Sequence, residues 1–581
     1  MRSRRPLYAA LVCVVASLPF SASAQDAAIL SAEARFHPVI AERGMVSSQE
    51  ALATEIGVDV LKAGGNAVDA AVAVSFALAV TLPRAGNIGG GGFMIVHASK
   101  TGETVAIDYR EKAPAAATED MFLNDAGDAD SVKSRFSGLG VGVPGTVRGL
   151  ALAHQRYGSG TLTWADLIEP SIVLAREGFP VSDDLASSLS SNWIRMHLAR
   201  DDEATRIFYG PTDGPPAAGT ITTRPDLAAT LQSIADDGPD AFYSGPIAEA
   251  IVAKVNDAGG RMSLDDLSGY AAEVRAPVTG RYKGYTIASM PPPSSGGVHL
   301  IQILNILEGL PIAESGLNAA KTIHLMSEAM SYAYADRSMF LGDPDFVDVP
   351  VGWLTSTDYA EEIRAKIDPD HATPSSEIRP GTPPAPYESN ETTHFSVVDE
   401  AGNAVSNTYT LNFSYGVGFV ADGTGILLNN ELDDFSAKKG VPNAYGLIGG
   451  EANAVEANKR PLSSMTPTIV FKDDKVFLVT GSPGGSRIIT TVLQIVVNVI
   501  DHGLDIASAT AAPRIHDQWL PDEIRIEQGI SPDTIRLLEE MGHTVALKDA
   551  MGSTQSILVT PEGTLHGAAD PRSAGSLADG Y

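Results

Sequence analysis

The chain has 581 residues, 44% of them hydrophobic, with 71 acidic against 41 basic side chains and a formal net charge of −30. That is enough apolar sequence for a large core, and it excludes an intrinsically disordered chain. The acidic excess argues against nucleic-acid and anionic-membrane partners, and solubility explains it.

The first residues read as an export signal over 1–24. Arg2, Arg4 and Arg5 precede an apolar stretch from Leu7 to Phe20, and Ala22-Ser23-Ala24 offers a small-residue cleavage site. The stretch is short for a membrane span, so no anchor is expected once it is removed. Losing its three arginines takes the formal charge from −30 to −33. The single cysteine, Cys13, lies in this segment, so the mature chain has neither disulfide nor thiol nucleophile. Together these features predict a periplasmic protein of a Gram-negative bacterium.

Ser48 is placed to cap a helix from Gln49 to Lys62, and Asn66 to cap a buried helix from Ala67 to Leu82 that Pro83 ends. Gly89 to Gly92 lead into a strand from Phe93 to His97. No Lys-Ser/Thr follows the glycines, so close backbone packing explains them better than a phosphate cradle. A strand from Thr104 to Tyr109 delivers Arg110 at its end. Pro144 to Leu341 reads as mostly helical, with strand-like breaks such as Tyr285 to Ser289. Residues 373–391 are rich in Pro, Ser, Thr and Gly and predict an exposed linker.

Strand-like sequence resumes abruptly at Thr392. His394 to Val398 and Asn403 to Leu411 form a predicted hairpin, with Val398 opposite Asn403 and Thr392 opposite Tyr409 or Thr410. Thr408, Thr410 and Asn412 then share a polar face. A strand from Lys475 to Gly481, the loop Ser482-Pro483-Gly484-Gly485-Ser486 and an apolar helix from Arg487 to Ile500 follow.

Metal-binding spacings are absent, the twelve histidines are scattered, and no serine elbow is present, so neither metal nor cofactor is expected. His394, near Thr392, reads as a packing or hydrogen-bonding residue. A threonine hydroxyl needs a base within reach. A cut before Thr392 would supply one in its own α-amine, with a pKa near ~8. By residue type alone, a capping or β-favouring threonine pair explains this segment better.

Five separated motifs resemble the γ-glutamyltranspeptidase family. They are Asn390-Glu391-Thr392-Thr393-His394 with Thr408 to Asn412, Leu428 to Phe435, Arg460 to Met465, Gly481 to Arg487, and Asp108 to Glu111 with Gly89 to Gly92. The resemblance implies an α+β N-terminal-nucleophile hydrolase, a four-layer αββα sandwich of two mainly antiparallel sheets between helical layers. It implies self-cleavage between Glu391 and Thr392 into fragments 25–391 and 392–581, which stay interleaved as a heterodimer. Thr392 would attack a γ-glutamyl donor such as glutathione, and water or an amino acid or peptide would accept the glutamyl group. Thr410 would position the nucleophile, and Gly484 and Gly485 would form the oxyanion hole. Arg110, Ser463 and Ser464 would hold the donor carboxylate, and Asn412, Glu431 and Asp434 its ammonium. Lys438 to Gly450 would be a lid with Tyr445 as its gate. Two rivals remain: a glutaryl-type cephalosporin acylase of the same fold, which needs no ammonium pocket, and an uncut solute-binding protein.

Overall fold

The computed structural model of the chain describes residues 35–210, 214–379, 392–438, 440–441, 443, 447 and 449–581. The signal segment, Glu391 and Tyr445 lie outside them.

Two seven-stranded sheets form the centre of the fold. The first contains β2 (Met45–Ser48), β3 (Gly91–Ala98), β4 (Glu103–Tyr109), β5 (Glu273–Arg275), β8 (Thr393–Val398), β9 (Ala404–Thr410) and β14 (Leu577–Gly580), in the order β14-β2-β8-β9-β3-β4-β5. The second contains β1 (Val39–Ala41), β6 (Val278–Tyr282), β7 (Tyr285–Ser289), β10 (Thr468–Lys472), β11 (Lys475–Thr480), β12 (Gln555–Val559) and β13 (Leu565–Ala569), in the order β1-β13-β12-β11-β10-β7-β6. All pairings within both sheets are antiparallel. Helices α1 (Ala51–Lys62) and α2 (Ala67–Thr81) cover the outer face of the first sheet. Helices α3 (Gly296–Leu307), α4 (Ala320–Phe340) and α5 (Ile488–Ile500) belong to the apolar layer outside the second. This is the four-layer αββα sandwich.

Every residue of α2 is buried, as its almost wholly apolar pattern requires. Asn66 and Asp69 close a reciprocal capping box at its start, satisfying donors that would otherwise be stranded. α1 begins later than expected. Its cap is Glu50, whose carboxylate accepts from the Ala53 N–H, while Ser48 belongs to β2 and bonds Thr54 (2.7 Å). Between the sheets, part of the core is polar. Ser396 donates to the Gln555 carbonyl (2.9 Å), Ser406 to that of Thr480 (3.0 Å), and Ser47 to the Gln555 side chain (3.0 Å). Each such bond contributes ~0.5–1.5 kcal/mol, and a slipped layer would strand its partners at greater cost.

The hairpin register is one residue from the simplest pairing: Val398 faces Ala404, and Thr393 faces Tyr409. Gly402 adopts φ +82° in the turn, and the Asp399 side chain accepts from the N–H groups of Ala401 and Asn403. The loop is therefore 399–403 rather than 399–402, and the extra residue, Asn403, is the one whose N–H the Asp399 side chain holds. The early linker also differs from expectation. Ser375 and Ile378 are buried, Ser375 donates to the Trp519 carbonyl (2.7 Å), and the Trp519 indole donates back to the Ser375 carbonyl (3.0 Å). Polar composition suggested exposure there, but the hydroxyl and backbone are satisfied internally.

Candidate active site

Thr392 lies just before β8, in the middle of the first sheet, and is only 4% exposed. Its hydroxyl donates to Thr410 Oγ1 at 3.4 Å, across the hairpin. Thr410 Oγ1 also accepts the Asn412 N–H (2.8 Å). Asn412 has φ +75°, a conformation that Asn tolerates, so the chain leaves the sheet immediately after Thr410. Asn412 Nδ2 then donates to the Asn430 carbonyl (3.0 Å). The glycine run permits this close approach: a Cβ on Gly90 would lie 2.1 Å from the Thr410 carbonyl oxygen.

Glu431 to Asp434 form one 3-10 turn. Asn429 fastens it, donating to the carbonyls of Gly89 (2.9 Å) and Gly142 (2.8 Å) and accepting from Gly142 N–H (2.9 Å) and Glu431 N–H (3.0 Å). The turn faces Arg110, at the end of β4. The buried guanidinium bonds Glu431, Asp434 (2.6 Å), and the carbonyls of Pro461 (3.2 Å) and Leu462 (3.3 Å). Glu111 stands 3.8 Å away. Burial pushes all three carboxyls up against the pull of Arg110, Asp434 to about 6.

Thr392, Thr410, Asn412, Arg110, Glu431, Asp434, Ser463, Ser464 and Gly485 line one open cavity. Gly484 is not in its lining. It precedes Gly485, and the pair have φ +136° and +55°. A short 3-10 turn, Gly485 to Arg487, separates them from α5, which begins at Ile488 rather than Arg487. Their left-handed backbone turns the loop at the positive end of α5.

His394 is on the Thr392 face, one pleat along, hydrogen-bonded to Thr408 (2.8 Å) and Ser396 (3.1 Å). Burial lowers it to about 3, so it stays neutral and packs against Gly481. Arg337 was not foreseen. It reaches the cavity from α4, donating to Ser295 (2.9 Å) and to Ser464 (3.0 Å), with no carboxylate in contact among the described residues. An arginine inside a helix buried on every side carries no local signal of that role.

Two carboxylates, Glu431 and Asp434, and two guanidiniums, Arg110 and Arg337, therefore line the cavity, with a threonine hydroxyl and a glycine turn in the same lining. Such a wall suits a ligand bearing a carboxylate and an ammonium together.

The chain is 58% identical over 546 residues to the glutathione hydrolase proenzyme of Escherichia coli (strain K12), covering 94% of this chain and 93% of that protein. Its fold overlays a cephalosporin acylase from Bacillus halodurans with a TM-score of 0.82 at 28% identity, over 96% of this chain and 99% of that one. A Helicobacter pylori gamma-glutamyltranspeptidase overlays with a TM-score of 0.55 at 45% identity, covering 57% of this chain and 93% of that one. The family model for gamma-glutamyltranspeptidase matches residues 53–580, and the chain belongs to that family.

Proposed function

We propose that this protein is an exported precursor that cuts itself between Glu391 and Thr392 and then transfers γ-glutamyl groups from donors such as glutathione. The observation that carries this reading is the wall in which Arg110 is paired to Glu431 and Asp434 within the cavity that Thr392 lines.

The freed α-amine of Thr392 takes the proton of Oγ1, which attacks the γ-carbonyl while Thr410 holds the hydroxyl in place. The N–H groups of Gly484 and Gly485 receive the negative charge that develops on the carbonyl oxygen. The C–N bond then breaks, the leaving amine takes the proton, and an ester on Thr392 remains. Water or an amino acid or peptide, deprotonated by the same α-amine, attacks that ester and releases the threonine.

In this reading Arg110, Ser463 and Ser464 hold the donor's α-carboxylate, with Arg337 as a second cation behind Ser464. Glu431, Asp434 and Asn412 hold its α-ammonium. A zwitterion adds no net charge to a wall whose two carboxylates and two guanidiniums balance, whereas a glutaryl donor adds a negative one, which disfavours the acylase alternative. Leu447 lines the cavity, which fits a lid over 438–450 with Tyr445 as its gate.

Strand order fits a cut that leaves the pieces together. β8 and β9, after the cut, lie between β2 and β3, before it, and β10 to β13 lie between β1 and β7. Separating fragments 25–391 and 392–581 would break both sheets. The name proenzyme on the Escherichia coli relative, and a Helicobacter pylori chain spanning 57% of this one, fit the same maturation. Among the described residues no helix is long and apolar enough to cross a membrane.

The test is to purify the exported protein, sequence both N-termini and assay a γ-glutamyl anilide with and without a dipeptide acceptor. A second fragment beginning at Thr392, with anilide turnover, is expected. A single uncut chain that turns over nothing refutes the proposal.

A further inference from the structure

Far along α4 from Arg337, two histidines and a glutamate converge. His324 and Glu328 are one helical turn apart on α4, so they share a face. His543 follows α6 (Pro532–Glu540) and is brought back onto α4 by Gly542, whose φ of +103° suits glycine alone. One ligand atom from each of the three lies within 4.8 Å of the others.

The hydrogen bonds fix which atoms are available. His324 Nε2 faces the Asp368 carbonyl oxygen at 2.8 Å, and a carbonyl only accepts, so Nε2 carries the proton. The neutral ring then has its lone pair on Nδ1, which points at His543 Nε2 from 2.7 Å. A backbone carbonyl orienting the far nitrogen is the usual support for a metal-bound histidine. Glu328 Oε1 accepts the Thr373 N–H (2.9 Å), while its other oxygen is buried with no hydrogen-bond partner. Glu328 is 2% exposed, and burial, with Asp517 and Asp522 adding to it, pushes its carboxyl up to about 7. With His324 Nδ1 as acceptor, the proton in that 2.7 Å contact belongs to His543 Nε2, and a metal bound by both nitrogens displaces it.

We propose that His324, Glu328 and His543 form a three-ligand site for a divalent transition metal of the zinc class. Two imidazole nitrogens and one carboxylate oxygen suit zinc and disfavour calcium and magnesium, which take oxygen ligands. His543 is half-buried, so solvent reaches the site and a water can fill the fourth position. The metal would tie α4, and through Asp368 and Thr373 the segment leading towards Thr392, to the C-terminal part of the chain. A staple between two separate fragments rests on the cut proposed above; the metal site itself does not.

The experiment strips the mature protein with a chelator and titrates it calorimetrically with zinc, calcium and magnesium chloride. One equivalent of zinc is expected to bind, and neither other ion. Glu328→Gln and His543→Gln keep side-chain volume and are expected to weaken zinc at least tenfold, with γ-glutamyl anilide turnover certifying their fold. In the unmutated protein, cobalt should give the visible absorption of a low-symmetry nitrogen/oxygen site, and zinc should raise the urea midpoint. The uncut Thr392→Ala chain should bind zinc equally well, which separates this proposal from the fate of the cut. Absence of stoichiometric zinc uptake, uptake unchanged in both variants, or calcium binding as tightly as zinc would each overturn it.

Discussion

Replacing Asp434 by Asn separates recognition of a γ-glutamyl donor from recognition of a plain acyl chain. Asp434 lies 2.6 Å from the Arg110 guanidinium, and its side chain is 12% exposed, so solvent screens it little. A charge pair ~4 Å apart contributes ~4 kcal/mol at an effective dielectric of ~20. Glu431 remains in the variant and keeps about half of that attraction for the donor ammonium. The loss is then ~2 kcal/mol, about thirtyfold in kcat/KM. A glutaryl anilide has the same scissile carbonyl and no ammonium, so it loses nothing by this route. The assay is the ratio of kcat/KM for γ-glutamyl over glutaryl anilides, which cancels effects on the nucleophile. We expect it to fall at least tenfold in the variant. Because burial holds the Asp434 carboxyl at about 6, protonation removes the same attraction as pH falls through 6. The ratio in the unmutated enzyme should therefore drop about fourfold between pH 6 and pH 5 and fall less in Asp434→Asn, where only Glu431 is left to titrate. Equal losses for both donors would refute the reasoning and assign Asp434 to the fold or the nucleophile.

Thr392→Ala is expected to give a folded, uncut and inactive chain on a denaturing gel, and Thr392→Ser to keep partial maturation and turnover; normal two-fragment maturation of the alanine variant would refute the nucleophile. Arg110→Lys keeps the charge but loses the fork to Glu431 and Asp434, so donor binding should weaken by ~1.5–3 kcal/mol while maturation survives; an unchanged donor KM would count against it. Gly481→Ala would place a Cβ 2.3 Å from the His394 ring, which Thr408 and Ser396 hold in position. It should cost ~1–3 kcal/mol as a lower urea midpoint at unchanged slope, and an unchanged midpoint would show that the ring moves freely.

The sequence by itself determined the elements whose information is local. The buried α2 followed from an almost wholly apolar run between Asn66 and Pro83. The β8–β9 hairpin followed from two β-rich runs about a turn, and the glycines before Phe93 marked a backbone that others approach closely. Nine of the predicted site residues meet in one cavity because each sits in a short motif at the end of a strand or at a turn, where residue type and backbone shape are coupled. The tertiary structure alone decided the rest. Register and caps shifted by a residue or two where Gly402 and the Glu50 carboxylate supplied satisfied hydrogen bonds that pattern could not rank. Ser375 looks like a linker residue until Trp519 bonds it, and Ile378 until the core of the second sheet takes it in. Arg337 shares its helix with apolar neighbours, and only the packing of α4 against Ser295 and Ser464 turns its guanidinium towards the cavity. His324 and His543 are 219 residues apart, so no spacing rule connects them. Side-chain periodicity reports which face of an element is buried, whereas convergence of distant side chains depends on how the layers cross, and that is settled by packing and hydrogen-bond satisfaction across the whole chain.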